Sequence, residues 1–249
     1  MILNHTVTGS GAPVVLIHSG VTDLRMWEPL AGLAEHFTLV APDLRGFGQS
    51  PVPEADETWS NGRDVLALMD HLEIETAAVV GSSYGGRVAL EVATLAPERV
   101  RRLVLLCSAL AGTDPTESVK AYGAKEEGLL EAGDVDGASR LNAETWLGPE
   151  ADKAAHDLVF DMQRRAFEVQ MAAEEVEPTE VDVDLSRLTM PTTIYFGAHD
   201  FDYFEQIARH LHEHIPGSEL VGLPWAGHMP ALERPAEMTT RLTEALSTG

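Results

Sequence analysis

One serine in this chain sits where its hydroxyl could become a nucleophile. Gly81-Ser82-Ser83-Tyr84-Gly85-Gly86 follows a short apolar run and opens a helical pattern. That context puts Ser83 on a tight strand-to-helix turn, pushed out of the sheet edge. Gly81 and Gly85, two residues to either side, let the strand and helix backbones approach closely. The N-terminus of the helix beyond offers free N–H groups and a positive dipole end, which suit a developing oxyanion.

A serine hydroxyl is a weak nucleophile at neutral pH, so it needs a base, and the base needs an acid to orient it. The chain holds 40 acidic residues and 10 histidines, so only their placement after strands discriminates among them. The run Thr192–Phe196 leads into Gly197-Ala198-His199-Asp200, and Glu219–Leu223 leads into Pro224-Trp225-Ala226-Gly227-His228. Asp200 and His228 therefore fall in loops after consecutive strands, in the order Ser, Asp, His. Asp202 is a rival to Asp200. His199 is a poor base, because it adjoins the acid and leaves His228 unexplained. An early strand, Val14–His18, runs into Ser19-Gly20-Val21, whose backbone can aim an N–H at the same point as the turn. The oxyanion donors read from this are the N–H groups of Gly20 and Tyr84. His18 reads as a loop-shaping residue.

Trp27, Trp146 and Met229, with Phe167, are candidates to line an apolar substrate pocket, although packing accounts for each equally well. His210, His212 and His214 form an H-x-H-x-H run, but only 210 and 214 share a helix face, so it reads as surface helix. Cys107 ends a buried run and reads as packing. The set asks for no metal and no cofactor.

The elements that must position these residues are legible from periodicity. Val14–His18, Thr38–Ala41, Ala77–Gly81 and Leu103–Cys107 are near-continuous apolar runs, as strands covered on both faces require, and the strand rhythm resumes with Thr192–Phe196 and the short Glu219–Leu223. Leu24–Glu35, Asn61–Leu72, Gly85–Ala96, Tyr203–His214 and Pro235 to about Leu246 read as helices. This alternation predicts an α/β, doubly wound, mostly parallel sheet. It breaks between 113 and 188, a polar stretch with clearer helices at Asp134–Ala143 and Ala151–Ala172. The expected organisation is a core of 1–112 and 189–249 with a helical lid at 113–188.

Bulk composition limits the partners. The 249 residues carry a net charge of −23, so nucleic acid and anionic membranes would be repelled. The densest acidic stretch is Glu174 to Asp184, expected as an exposed loop or linker. The start of the chain lacks a basic segment followed by an apolar one, and no run is long enough to span a bilayer. With one cysteine, no intramolecular disulfide can form. These features predict a soluble, cytoplasmic protein acting on a small molecule; a homo-oligomer stays open.

Several segments together resemble the α/β-hydrolase superfamily over almost the full length. They are Val14-Val-Leu-Ile-His-Ser-Gly20, Pro42-Asp-Leu-Arg-Gly-Phe-Gly-Gln-Ser50, Gly81-Ser-Ser-Tyr-Gly-Gly86, Gly197-Ala-His-Asp200 and Gly227-His228. The family's usual His-Gly-x oxyanion loop reads His-Ser-Gly here. The resemblance implies a structural role for Arg45 and the glycines near it. It also implies hydrolysis of a carboxylic ester or lactone through an acyl intermediate on Ser83, in the manner of the esterase and enol-lactonase branch. C–C bond hydrolysis and cofactor-free haloperoxidase or perhydrolase chemistry use the same triad, and a slow-turnover ligand receptor uses the same scaffold. Epoxide hydrolases and haloalkane dehalogenases carry Asp where this chain has Ser83.

Overall fold

The computed structural model describes residues 1–54, 57–173 and 177–247. Among them, the strands are β1 (His5–Gly9), β2 (Ala12–Ile17), β3 (Phe37–Pro42), β4 (Ala77–Ser82), β5 (Val100–Leu106), β6 (Thr192–Gly197) and β7 (Glu219–Leu223). They form one sheet in the order β1-β3-β2-β4-β5-β6-β7. All neighbours pair parallel except β1, which lies antiparallel on β3 at the edge.

The apolar runs become strands because both faces of the sheet are covered. Val14 and Leu16 of β2, Val80 of β4 and Val104 and Leu106 of β5 enter one core. Val15, Ile17, Val79, Leu103 and Leu105 enter the other. This is the two-residue alternation of a strand, with every position buried. The second core is closed by α1 (Asn61–His71), α2 (Tyr84–Leu95) and α6 (Asp202–His214). The first is closed by α7 (Pro235–Ser247) and the segment Leu24–Glu35. The order changes direction at β2, which pairs with β3 on one side and β4 on the other. Ile17 pairs with Gly81 there, so the loops after β2 and β4 open side by side. Such a switch point is where open α/β sheets bind ligands.

Among the described residues three α-helices stand between β5 and β6: α3 (Glu117–Glu131), α4 (Val135–Trp146) and α5 (Lys153–Met171). Asp134 and Asp152 cap the last two, accepting from Gly137 N at 2.8 Å and Ala155 N at 2.9 Å. The inner face of α5 presents Ala155, Val159, Met162, Gln163, Ala166 and Phe167, a helical stripe. Asp23 N donates to Met162 Sδ at 3.4 Å and Gln170 Nε2 donates to Gly46 O at 3.2 Å. Helix α5 therefore crosses the loops that leave β2 and β3.

Two expectations change. Leu24–Glu35 is a 3-10 segment kinked at Leu30 rather than an α-helix, because Pro29 inside it has no N–H to give and a fixed φ. The sequence reading also lacks β1, whose residues are mostly exposed and carry no burial alternation. Of the acidic stretch 174–184, residues 174–176 lie outside the described residues, and the acidic side chains from Glu177 to Asp184 are exposed.

Leu105 is fully buried in β5, an inner strand paired on both sides. Leu105→Ala should lower unfolding free energy by about 2–5 kcal/mol in a denaturant titration, with no loss of cooperativity.

Candidate active site

Ser83 occupies a backbone conformation that L-residues seldom adopt, at φ 54° and ψ −117°. Such a geometry costs roughly 1–3 kcal/mol and persists only where the surroundings enforce it. Here the main chain is held on both sides. Ser83 N donates to Leu106 O at 2.9 Å, and Ser83 O accepts from Gly86 N at 2.8 Å and Ala109 N at 3.0 Å. The glycines are required by space. A Cβ on Gly81 would overlap Gly85 O, and one on Gly85 would overlap the carbonyls of Ile17 and His18. The turn is thus clamped between the end of β2 and the end of β5.

Several N–H groups beside the turn are left without acceptors among the described residues, two of them at the positions the sequence singles out. One is Tyr84 N, at the first turn of α2. The other is Gly20 N, whereas its neighbours are occupied: Ser19 N donates to Met26 Sδ at 3.3 Å and Val21 N to Ser19 Oγ at 3.4 Å. Gly20 lies against Tyr84, since a Cβ on it would meet Tyr84 Cβ at 3.3 Å. His18 holds this loop from behind. Its Nε2 accepts from Leu44 N at 2.9 Å and its Nδ1 donates to Ser19 O at 2.7 Å. Burial lowers its pKa, which keeps the ring neutral and able to fill both roles.

The loops after β6 and β7 bring Asp200 and His228 together. His228 Nδ1 donates to Asp200 Oδ2 at 2.6 Å, and both side chains are 2% exposed. Asp200 Oδ1 also accepts from Phe201 N at 2.7 Å. That arrangement fixes the imidazole tautomer with the proton on Nδ1 and the lone pair on Nε2. Asp202 does not compete. It is exposed at the start of α6 and accepts from Thr116 Oγ1 and Ser118 Oγ, which hold its carboxyl below the usual range. His199 is exposed, its N–H spent on Ala226 O.

The ring of His228 is gripped by aromatic neighbours. Phe204 stands 4.1 Å away and Trp146 4.6 Å, centroid to centroid. Trp146 closes α4; its Nε1 donates to Tyr122 Oη and Asn142 Oδ1, both at 3.0 Å. Burial beside Glu126 pushes the Tyr122 phenol well up, so it stays a neutral link in that network. Of the other pocket candidates, Trp27 and Met229 are buried in the same core as Trp146. Phe167 lines a cavity of about 730 Å³ with Arg45, Trp59 and Met171. Arg45 is itself locked by ion pairs of 2.6 Å to Asp64 and to Glu57.

Cys107 Sγ, a carboxylate oxygen of Asp200 and a ring nitrogen of His228 lie within 4.8 Å of one another. Burial pushes the Cys107 thiol well up, and the Asp200 charge adds to this. The 2.6 Å contact between the other two holds a proton, so the trio reads as the packed rear of the site rather than a metal centre. His210 and His214 stack at 4.1 Å while His212 turns to Ser218 Oγ, and no third ligand joins them among the described residues. One group escaped the sequence reading altogether. Glu233 is buried, and its carboxylate accepts from the N–H groups on both sides of His228. Its spacing of five residues from the histidine was the only signal available.

A family model described as the alpha/beta hydrolase fold matches residues 12–132. The chain is 42% identical to the 2-hydroxymuconate semialdehyde hydrolase of Pseudomonas sp. strain CF600 over 123 residues, 46% of this chain and 42% of that protein. It is 29% identical to 3-oxoadipate enol-lactonase 2 of Acinetobacter baylyi, covering 94% of this chain and 88% of that one. An esterase structure from Rhodococcus sp. ECU1013 superposes with a TM-score of 0.80 at 26% identity, over 98% of this chain and 94% of that one.

The glycine requirements make a paired prediction. Gly85→Ala should cost stability, read as a lowered Tm, because the carbonyls it strikes, of Ile17 and His18, sit at the end of β2. Gly123→Ala, in the open interior of α3, should raise stability by about 0.5–1 kcal/mol.

Proposed function

The chain belongs to the α/β-hydrolase fold family, and from that premise we propose that it hydrolyses a small carboxylic ester or lactone through an acyl intermediate on Ser83. The observation that carries this reading is the 2.6 Å bond from His228 Nδ1 to Asp200, which leaves Nε2 as the basic nitrogen of a buried histidine.

In this mechanism Ser83 Oγ attacks the substrate carbonyl carbon as His228 Nε2 takes its proton. The tetrahedral oxyanion accepts from Gly20 N and Tyr84 N. It collapses, the C–O bond breaks, and the departing alkoxide takes the proton from His228. Water then attacks the acyl carbon with His228 again as base, and the second collapse returns the proton to Ser83 as the acid leaves. Asp200 keeps the ring oriented and stabilises the imidazolium. The helices of 113–188 act as the lid, with Trp146 and the inner face of α5 bordering the acyl group. The substrate is a small molecule. A cytoplasmic location belongs to the same proposal, on the strength of a single buried cysteine. Among the described residues no helix is long and apolar enough to cross a membrane.

A second reading, hydrolysis of a C–C bond in a vinylogous diketone, draws support from the 42% identity to the semialdehyde hydrolase. The two readings separate on substrates. Short-chain p-nitrophenyl esters should be turned over with a burst of p-nitrophenol matching the enzyme concentration, and Ser83→Ala should reduce kcat by about 10⁴-fold or more. Turnover of the diketone with inert esters would select the C–C reading. A folded protein inert to both would remove the hydrolase mechanism.

A further inference from the structure

We propose that Glu233 is a positioning residue for His228, its buried carboxylate clamping the histidine loop to the end of α4 and placing negative charge beside the imidazole. This rests on the acyl-transfer reading above.

The clamp is built from main-chain donors. Gly227 N donates to Glu233 Oε2 at 2.8 Å and Met229 N to Glu233 Oε1 at 3.1 Å, so both oxygens are used and His228 stands between the two donors. Gly148 N, just past α4, is a third donor. The next link runs the other way, since His228 N donates to Trp146 O at 3.1 Å. Neither glycine tolerates a side chain here. A Cβ on Gly148 would overlap Glu233 Oε2 and Gly227 N, and one on Gly227 would approach Gly148 N to 2.6 Å. The residues that carry the histidine and those that end α4 thus meet on one carboxylate.

The choice of Glu over Gln has a chemical reason. Two oxygens receive N–H donors, and an amide would turn a donor toward one of them. No Lys or Arg pairs with Glu233 among the described residues, since neighbouring Arg234 is engaged with Glu150 and Glu237. Burial pushes the Glu233 carboxyl up, while the Gly227, Gly148 and Met229 donors offset part of that. The groups that favour its charged form are those backbone N–H donors and the neighbouring His228. The other titratable groups around this pair are Asp200 and Cys107 behind the ring, and Glu150 and Asp152 at the α4–α5 connection.

A negative charge at Glu233 favours the protonated imidazole, so removing it should move the acid limb of the kcat/KM profile to lower pH. Measured on a p-nitrophenyl ester, Glu233→Gln should lower kcat roughly tenfold or more with KM nearly unchanged, and should shift that limb downward. Glu233→Asp keeps the charge but shortens the arm, so it should lose kcat while leaving the limb in place. A merely structural glutamate would lower Tm in both variants with wild-type kcat and pH profile per folded molecule, and that result would overturn the proposal. If Glu233→Gln does not fold, Glu233→Asp decides alone: reduced kcat at unchanged KM supports the clamp, and wild-type kcat refutes it. A wild-type protein without turnover would instead count against the acyl-transfer reading.

Discussion

The site depends on how closely three strand ends approach one another at the switch point of the sheet. With Ile17 opposite Gly81, there is no room for a side chain between the end of β2 and the first turn of α2. That crowding holds Ser83 in a conformation it would otherwise leave, and it sets Gly20 against Tyr84. The unpaired N–H groups of Gly20 and Tyr84 and the serine are products of one packing constraint. The strain at Ser83 is offset by the hydrogen bonds that tie its main chain to β5 and to Ala109.

The histidine is held by a different principle. It lies in a loop, and loops are precise only when something outside them fixes the main chain. Asp200 fixes the ring, Trp146 and Phe204 bracket it, and Glu233 takes the flanking N–H groups. Trp146 comes from the helical segment between β5 and β6, as does Gly148, which packs against the Glu233 carboxylate and Gly227. The histidine loop and that segment are thereby joined, so a shift of α4 would be felt at the imidazole.

Most of the sheet and the serine turn were legible because their signals are local. A glycine two residues either side of Ser83, between an apolar run and a helical one, needs no tertiary information. Asp200 and His228 carry a signal of the same kind, their place after β6 and β7. Other features had no local signal. The β1 strand is an exposed edge with one partner, and its side chains do not alternate in burial. Helix α3 buries no residue, so hydrophobic periodicity had nothing to report. The 3-10 form of Leu24–Glu35 was announced by Pro29 but outweighed by its apolar spacing. Glu233 reads as one more acid among many, because what singles it out is the approach of Gly148, from the far end of α4, to its carboxylate, a contact that only folding makes.

The proposed mechanism requires Ser83 to form a covalent bond to its substrate. Peptide mass spectrometry after reaction with a fluorophosphonate tests this most directly. A single adduct on the peptide containing Ser83, at one equivalent per chain, is the predicted result. No adduct on a natively folded protein, or one on another serine, would contradict it.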